Sequence, residues 1–245
     1  MTALVAEIGL NHIGEEPRAT ELLTSVLNAG IDCVTFQIRE PKFYESEETT
    51  HRPLSMQFYA EAAKRAHEAG CKFGIAIADH TLVDTFEEIG TDFWKTLSWD
   101  FCNHQLRDSL FKTNRPVFLS TGLSDMSTVV EGSKGLSNAV LIHTQLSQDP
   151  ADVNLKAIPT IANATGLPVA FGLHCEDADV LKMALAFEPH SVFFYVKQSG
   201  VQGLFDDQHA LDIGHLQDSV KHFRTLHSAL GSGKKESMQK PAWVV

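Results

Sequence analysis

Along the chain, short apolar runs of strand length alternate with longer stretches whose apolar residues recur at helical spacing. The short runs cover residues 4–9, 33–38, 72–78, 93–97, 116–120, 139–143, 169–173 and 192–196. Near-continuous apolar character is what a parallel strand needs when both faces of its sheet are covered. Between these runs, residues 19–29, 56–69, 82–89 and 155–164 read as amphipathic helices. Gly30, Gly70, Gly90 and Gly166 follow these helices, where a glycine ends a helix before the next strand. Eight such units with no break in composition predict an α/β fold, the (β/α)8 TIM barrel, over residues 1–233, with 234–245 as a polar tail. A doubly wound open sheet is the competing arrangement, but no G-x-G-x-x-G follows the first run.

Composition narrows the function classes. A chain of 245 residues with 43% hydrophobic and 21% charged residues is ordinary for one barrel enzyme. The net charge of −11, with no basic stripe, argues against nucleic acid as a partner. Small anionic ligands remain open, since a pocket needs only local donors and one or two cations. The four cysteines form no C-x-x-C pair, which suits reduced thiols in a cytoplasmic protein. The apolar start carries Glu7 and no basic leader, so it reads as a buried strand. No apolar run reaches the ~20 residues that a membrane helix needs, so no membrane partner is expected.

Barrel enzymes place their chemistry where strands end, and polar residues gather there in this chain. Glu7, Asn11 and His12 follow the first run, Gln37 and Arg39 end the second, and Asp79 and His80 follow the third. Lys95, Ser98 and Asp100 finish the fourth, and Ser120 and Thr121 the fifth. His143 and Gln145 close the sixth, His174, Cys175 and Glu176 the seventh, and Tyr195 and Lys197 the eighth. Lys95 stands inside an apolar run, and a buried ammonium needs an anion, for which Glu7 is the candidate across the barrel.

Several motifs then arrive in order. Ala6-Glu7-Ile8-Gly9-Leu10-Asn11-His12-Ile13-Gly14 resembles the A-E-I-G-x-N-H-x-G opening of N-acetylneuraminate (sialic acid) synthases and their legionaminate and pseudaminate relatives. Phe36-Gln37, Lys95-Thr96-Leu97-Ser98, Ser120-Thr121-Gly122-Leu123, Ile142-His143 with Val153-Asn154-Leu155, and Phe171-Gly172-Leu173 resemble later motifs of that family. The resemblance implies a barrel that condenses phosphoenolpyruvate, or a related small carboxylate, with a sugar aldehyde such as an N-acetylhexosamine. The product of such a reaction is a 2-keto-3-deoxy sugar acid. It further implies Glu7, Lys95 and Asp100 as catalytic residues. Asn11, His12, Gln37, Arg39, Ser98, Ser120, Thr121, His143, Gln145, His174 and Asp207 are the substrate-binding candidates. A homodimer is expected on the same ground.

The chain also departs from the family pattern. Thr35 replaces a lysine that contacts phosphoenolpyruvate, and Arg39 is the candidate substitute. A divalent metal, manganese or magnesium, is implied by the resemblance. Glu176 and Tyr195 stand where the family has its two histidine ligands, which leaves Glu176 as the metal candidate. The family's small C-terminal antifreeze-like domain is not expected within these residues. Two other functions stay open: metal-independent aldolase or lyase chemistry through Lys95 or Lys197, and a non-catalytic barrel serving as a binding subunit.

Overall fold

A computed structural model describes residues 1–46 and 52–235, together with 237, 239, 241 and 243. Val244 and Val245, which with Trp243 the sequence suggests as a docking segment, lie outside the described residues; Trp243 itself is exposed. Eight parallel strands follow one another around a closed sheet: β1 (Ala3–Gly9), β2 (Cys33–Ile38), β3 (Lys72–Ile77), β4 (Phe93–Lys95), β5 (Val117–Ser120), β6 (Ala139–Thr144), β7 (Val169–Gly172) and β8 (Ser191–Lys197). Closure comes from β8 lying beside β1, with Ala3 opposite Ser191 and Glu7 opposite Tyr195. The (β/α)8 barrel expected from the sequence is therefore the observed fold. A two-residue strand that no sequence pattern announces, β9 (Leu211–Asp212), adds to the outer end of β8.

Helices α1 (Glu16–Asn28), α2 (Pro41–Glu45), α3 (Met56–Glu68), α4 (Val83–Ile89), α5 (His104–Lys112), α6 (Met126–Ser133), α7 (Ala157–Thr165), α8 (Asp179–Ala184) and α9 (Leu216–Ala229) are the described helices. Their placement follows from local chemistry. In α1 the buried residues are Ala19, Leu22, Leu23 and Val26, and in α3 they are Tyr59, Ala62, Ala63 and Ala66. Both sets have the i, i+3, i+4, i+7 spacing of a single helix face. Burying one such leucine stabilises the fold by about 1.5–3 kcal/mol. Ser55 caps α3 by accepting from the Phe58 N–H, and α4 stops at Gly90, whose φ of 101° lies in the left-handed region. No helix among the described residues is long and apolar enough to cross a membrane, and all four cysteines are free.

Strand pleating sorts the residues into two sets. Leu4, Ala6, Ile8, Val34, Phe36, Leu141 and Phe171 face outward into the helix layer. Val5, Phe93, Phe118, Val140, Ile142, Ala170 and Phe193 fill the barrel axis as a separate apolar plug. The Phe118 ring meets Phe93 and Phe193 edge-on, with centroids 5.4 and 5.2 Å apart. Two residues further along their strands, the same inward face turns polar with Glu7, Lys95, Ser120 and Tyr195. The plug is thus the floor on which a polar layer rests.

Gly74 on β3 leaves room for the plug, because a Cβ there would sit 2.2 Å from Phe93 Cζ. Gly74→Ala is expected to destabilise the protein by about 1–3 kcal/mol, since a packed ring has no free volume into which to retreat. Urea titration of the variant beside the parent checks this.

Candidate active site

The polar layer is organised around one ion pair. Lys95 Nζ lies 2.6 Å from Glu7 Oε2, with the side chains only 5% and 2% exposed. The two strands that carry them face each other across the barrel, so the pair exists only once the sheet has closed. The ammonium also lies 5.8 Å from the Phe193 ring centroid and 5.9 Å from that of Tyr195, within cation–π range. Its partner and these rings offset the cost of desolvating the charge.

Above the pair opens a cavity of about 240 Å³. On one side Gln37, Lys95, Ser98 and Ser120 line it, and on the other His174, Tyr195, Asp206 and His209. Trp99, Leu146 and Phe205 form a partly exposed apolar rim. Gly122 lets the β5 loop approach, since a Cβ there would meet Ser98 Oγ at 2.8 Å. A smaller cavity of about 90 Å³ between the barrel wall and α8 and α9 is lined almost wholly by apolar side chains such as Phe194 and Phe223.

The structure brings together Glu7, Gln37, Lys95, Ser98, Ser120 and His174 from the expected set. Asp100 is buried one step behind the lining, in the turn Ser98–Asp100. Its Oδ1 accepts from Asn103 Nδ2 at 3.0 Å, and burial above all holds its carboxyl higher than the usual carboxylate range. Arg39 sits at the rim, paired to Glu40 through two contacts of 3.0 and 2.9 Å and stacked over Phe43 and Trp99.

Other candidates are turned away. Asn11 is a brace, donating to the Val196 carbonyl at 2.9 Å and accepting from the Asp206 N–H. His12 accepts from the Gly14 N–H and packs on Phe36, an outward-facing residue. Thr121 donates to the Ile142 carbonyl. His143 has the outward parity of β6, and its Nε2 contacts the Val153 carbonyl at 2.8 Å, so the pleat removes it from the cavity. Gln145 does not line the cavity; Leu146 and Gln148 do. Asp207 turns to Lys197 at 2.5 Å and to the Gly203 N–H, while its neighbour Asp206 takes the inward position.

Among the described residues, the divalent metal implied by the resemblance meets no fitting donor set. Glu176 is exposed, and Tyr195 is a buried phenol that desolvation keeps protonated. Among the described residues no group of three or more His, Cys, Asp and Glu could hold a metal ion.

Electrostatics set the protonation of the remaining wall. Burial, reinforced by Glu7 and opposed by Lys95, pushes Asp206 up to about 7. Burial also lowers His174 to about 3 and His209 to about 4, with the nearby lysines acting in the same direction. Both imidazoles are therefore neutral at physiological pH. Sequence reasoning missed Asp206 and His209; the Asp206-Asp207 doublet was the available signal, but a loop has no parity rule to say which acid turns inward.

A model of the NeuB family matches residues 35–235, and the chain belongs to that family. It is 29% identical to an uncharacterised protein of Methanocaldococcus jannaschii over 97% of this chain and 74% of that protein. To the human N-acetylneuraminate-9-phosphate synthase it is 24% identical, covering 95% of this chain and 72% of that enzyme. The crystal structure of the Leptospira borgpetersenii N-acetylneuraminic acid synthetase in complex with citrate shares the fold. Its TM-score is 0.87 at 23% identity, covering 97% of this chain and 87% of that one.

Asp206 makes stability fall with pH in a defined window. Below about pH 4 the folded and unfolded chains both hold its proton. From about pH 4 to 7 only the folded chain does, so stability drops across that range. Asp206→Asn is expected to remove this slope, with a gain at pH 8 of at most about 4 kcal/mol. Denaturant melts of parent and variant at pH 4 and pH 8, compared as a difference, isolate the effect from the two histidines.

Proposed function

We propose that this chain condenses phosphoenolpyruvate, or a related small carboxylate, with a sugar aldehyde such as an N-acetylhexosamine, giving a 2-keto-3-deoxy sugar acid and phosphate. The observation that carries the reading is the buried Lys95 ammonium in a cavity it shares with the Ser98 and Ser120 hydroxyls. A fixed cation with hydroxyl donors suits a carboxylated, phosphorylated guest. Membership of the NeuB family and likeness to named synthases support an enzyme of this kind.

In this reaction the enol carbon C3 attacks the aldehyde carbon, whose oxygen gains a proton. Water then adds at C2, and phosphate leaves with the C–O bonding electrons. In this reading Asp206, which lines the cavity and keeps its proton up to about pH 7, gives the aldehyde oxygen its proton. Lys95 and the two serines hold the phosphorylated carboxylate while charge shifts. Asp100, a buried acid behind the lining, takes up the proton of the attacking water through Ser98 or a bridging water.

Schiff-base chemistry through Lys95 is not favoured, because its nitrogen is engaged by Glu7 at 2.6 Å. A non-catalytic barrel serving as a binding or partner subunit is not favoured either, since Trp99 and Tyr195 border an open cavity and do not fill it.

Calorimetry with phosphoenolpyruvate, with and without manganese, tests the reading, and absence of binding in both conditions overturns it. Ser98→Ala combined with Ser120→Ala is expected to weaken binding about tenfold while leaving the fold intact. Lys95→Met is expected to abolish binding and to cost about 3–5 kcal/mol of stability, because Glu7 is left buried and unpaired. Borohydride treatment with pyruvate should leave no adduct on the parent protein.

A further inference from the structure

Thr144 fixes the protonation of His174. Its single hydroxyl proton lies between two neighbours at 2.8 Å, the Gly172 carbonyl and His174 Nδ1. A carbonyl oxygen only accepts, so the Thr144 proton points to Gly172, and the contact with His174 then requires Nδ1 to be the donor. The imidazole is therefore the Nδ1–H tautomer, and Nε2 is a bare lone pair on a ring that lines the cavity.

His209 supplies the complement. Its side chain is only 8% exposed, yet neither ring nitrogen has a hydrogen-bond partner among the described residues. The ring lies 5.0 Å from that of His174 and 5.1 Å, edge-on, from that of Tyr195. Asp206 Oδ1 stands 3.7 Å from His209 Nε2, too far for a direct hydrogen bond. A buried imidazole with both nitrogens unpaired by protein groups has one donor and one acceptor to offer a guest or a water.

We propose that His174 and His209 form a hydrogen-bonding subsite for the hydroxylated, uncharged portion of the substrate. His174 Nε2 accepts a ligand O–H, and His209 presents one donor and one acceptor to neighbouring hydroxyl or amide groups. The cavity is thereby bipartite: Lys95, Ser98 and Ser120 take the anion, and the paired imidazoles take the polyol. This deepens the condensing reading and rests on it for the identity of the two guests. The imidazoles are specificity-determining residues that position the acceptor, and no proton transfer is assigned to them.

Long-range 15N–1H spectra of the full chain read the tautomers directly, and His174 is expected as Nδ1–H. Adding N-acetylmannosaminitol, an open-chain polyol, is expected to shift the His174 Nε2 and His209 nitrogens. Phosphoenolpyruvate alone should leave them in place. His174→Phe and His209→Phe are each expected to weaken polyol binding at least tenfold, while phosphoenolpyruvate affinity changes less than about twofold. The Nε2–H tautomer at His174, unmoved histidine signals with polyol, or unchanged polyol affinity in both variants overturns the proposal. Shifts caused by manganese and not by polyol also overturn it. If the polyol moves the histidines and phosphoenolpyruvate binds nowhere, the condensing reading fails while the subsite stands.

Discussion

The buried pair of Glu7 and Lys95 is the constraint around which the upper half of this barrel is arranged. An ammonium placed directly above an apolar plug is tolerable only with a carboxylate in contact, and that carboxylate comes from the opposite wall. The pair therefore makes barrel closure and site formation one event. Its field reaches further: Glu7 helps to keep Asp206 protonated, and Lys95 helps to keep His174 and His209 neutral. One salt bridge in a low-dielectric setting thus adds to burial in shaping the charge state of the facing wall.

Small residues then decide how closely that wall packs. A Cβ at Gly9, where φ is +57°, would lie 2.6 Å from Tyr195 Cε1, so glycine there lets the phenol lie against the end of β1. Tyr195 in turn backs the ring of His209. The apolar rim of Trp99, Leu146 and Phe205 sits above these polar groups and limits the water around them. Burial is the largest single reason that Asp206 keeps its proton up to about pH 7 and that both imidazoles are neutral.

The departures from the family pattern acquire a common sense in this arrangement. Where the resemblance implied metal ligands, the chain has an exposed Glu176 and a phenol packed between imidazoles. Where it implied a second cation on β2, Thr35 is buried inside the barrel and Arg39 lies outside on the rim, neutralised by Glu40. Among the described residues, Lys95 is consequently the sole lysine or arginine on the cavity lining. The opposite wall is a hydrogen-bonding surface of two neutral imidazoles, a phenol and the Asp206 carboxyl.

The sequence alone determined the barrel and the ion pair. Eight near-continuous apolar runs of strand length alternate with stretches of helical period, and a lysine inside a strand demands an anion, so these features follow from local rules that survive any tertiary detail. Lys95, Ser98, Ser120 and Gln37 were legible for the same reason, being strand residues of inward parity or their immediate followers. His143 was misplaced because its parity is outward, a distinction that needs the register of the closed sheet. Asp206, His209 and the tautomer of His174 were decided only by tertiary structure. They depend on how the loop after β8 folds across β1 and β7, where no repeating pattern says which side chain turns inward and a neighbour 30 residues away holds the proton in place.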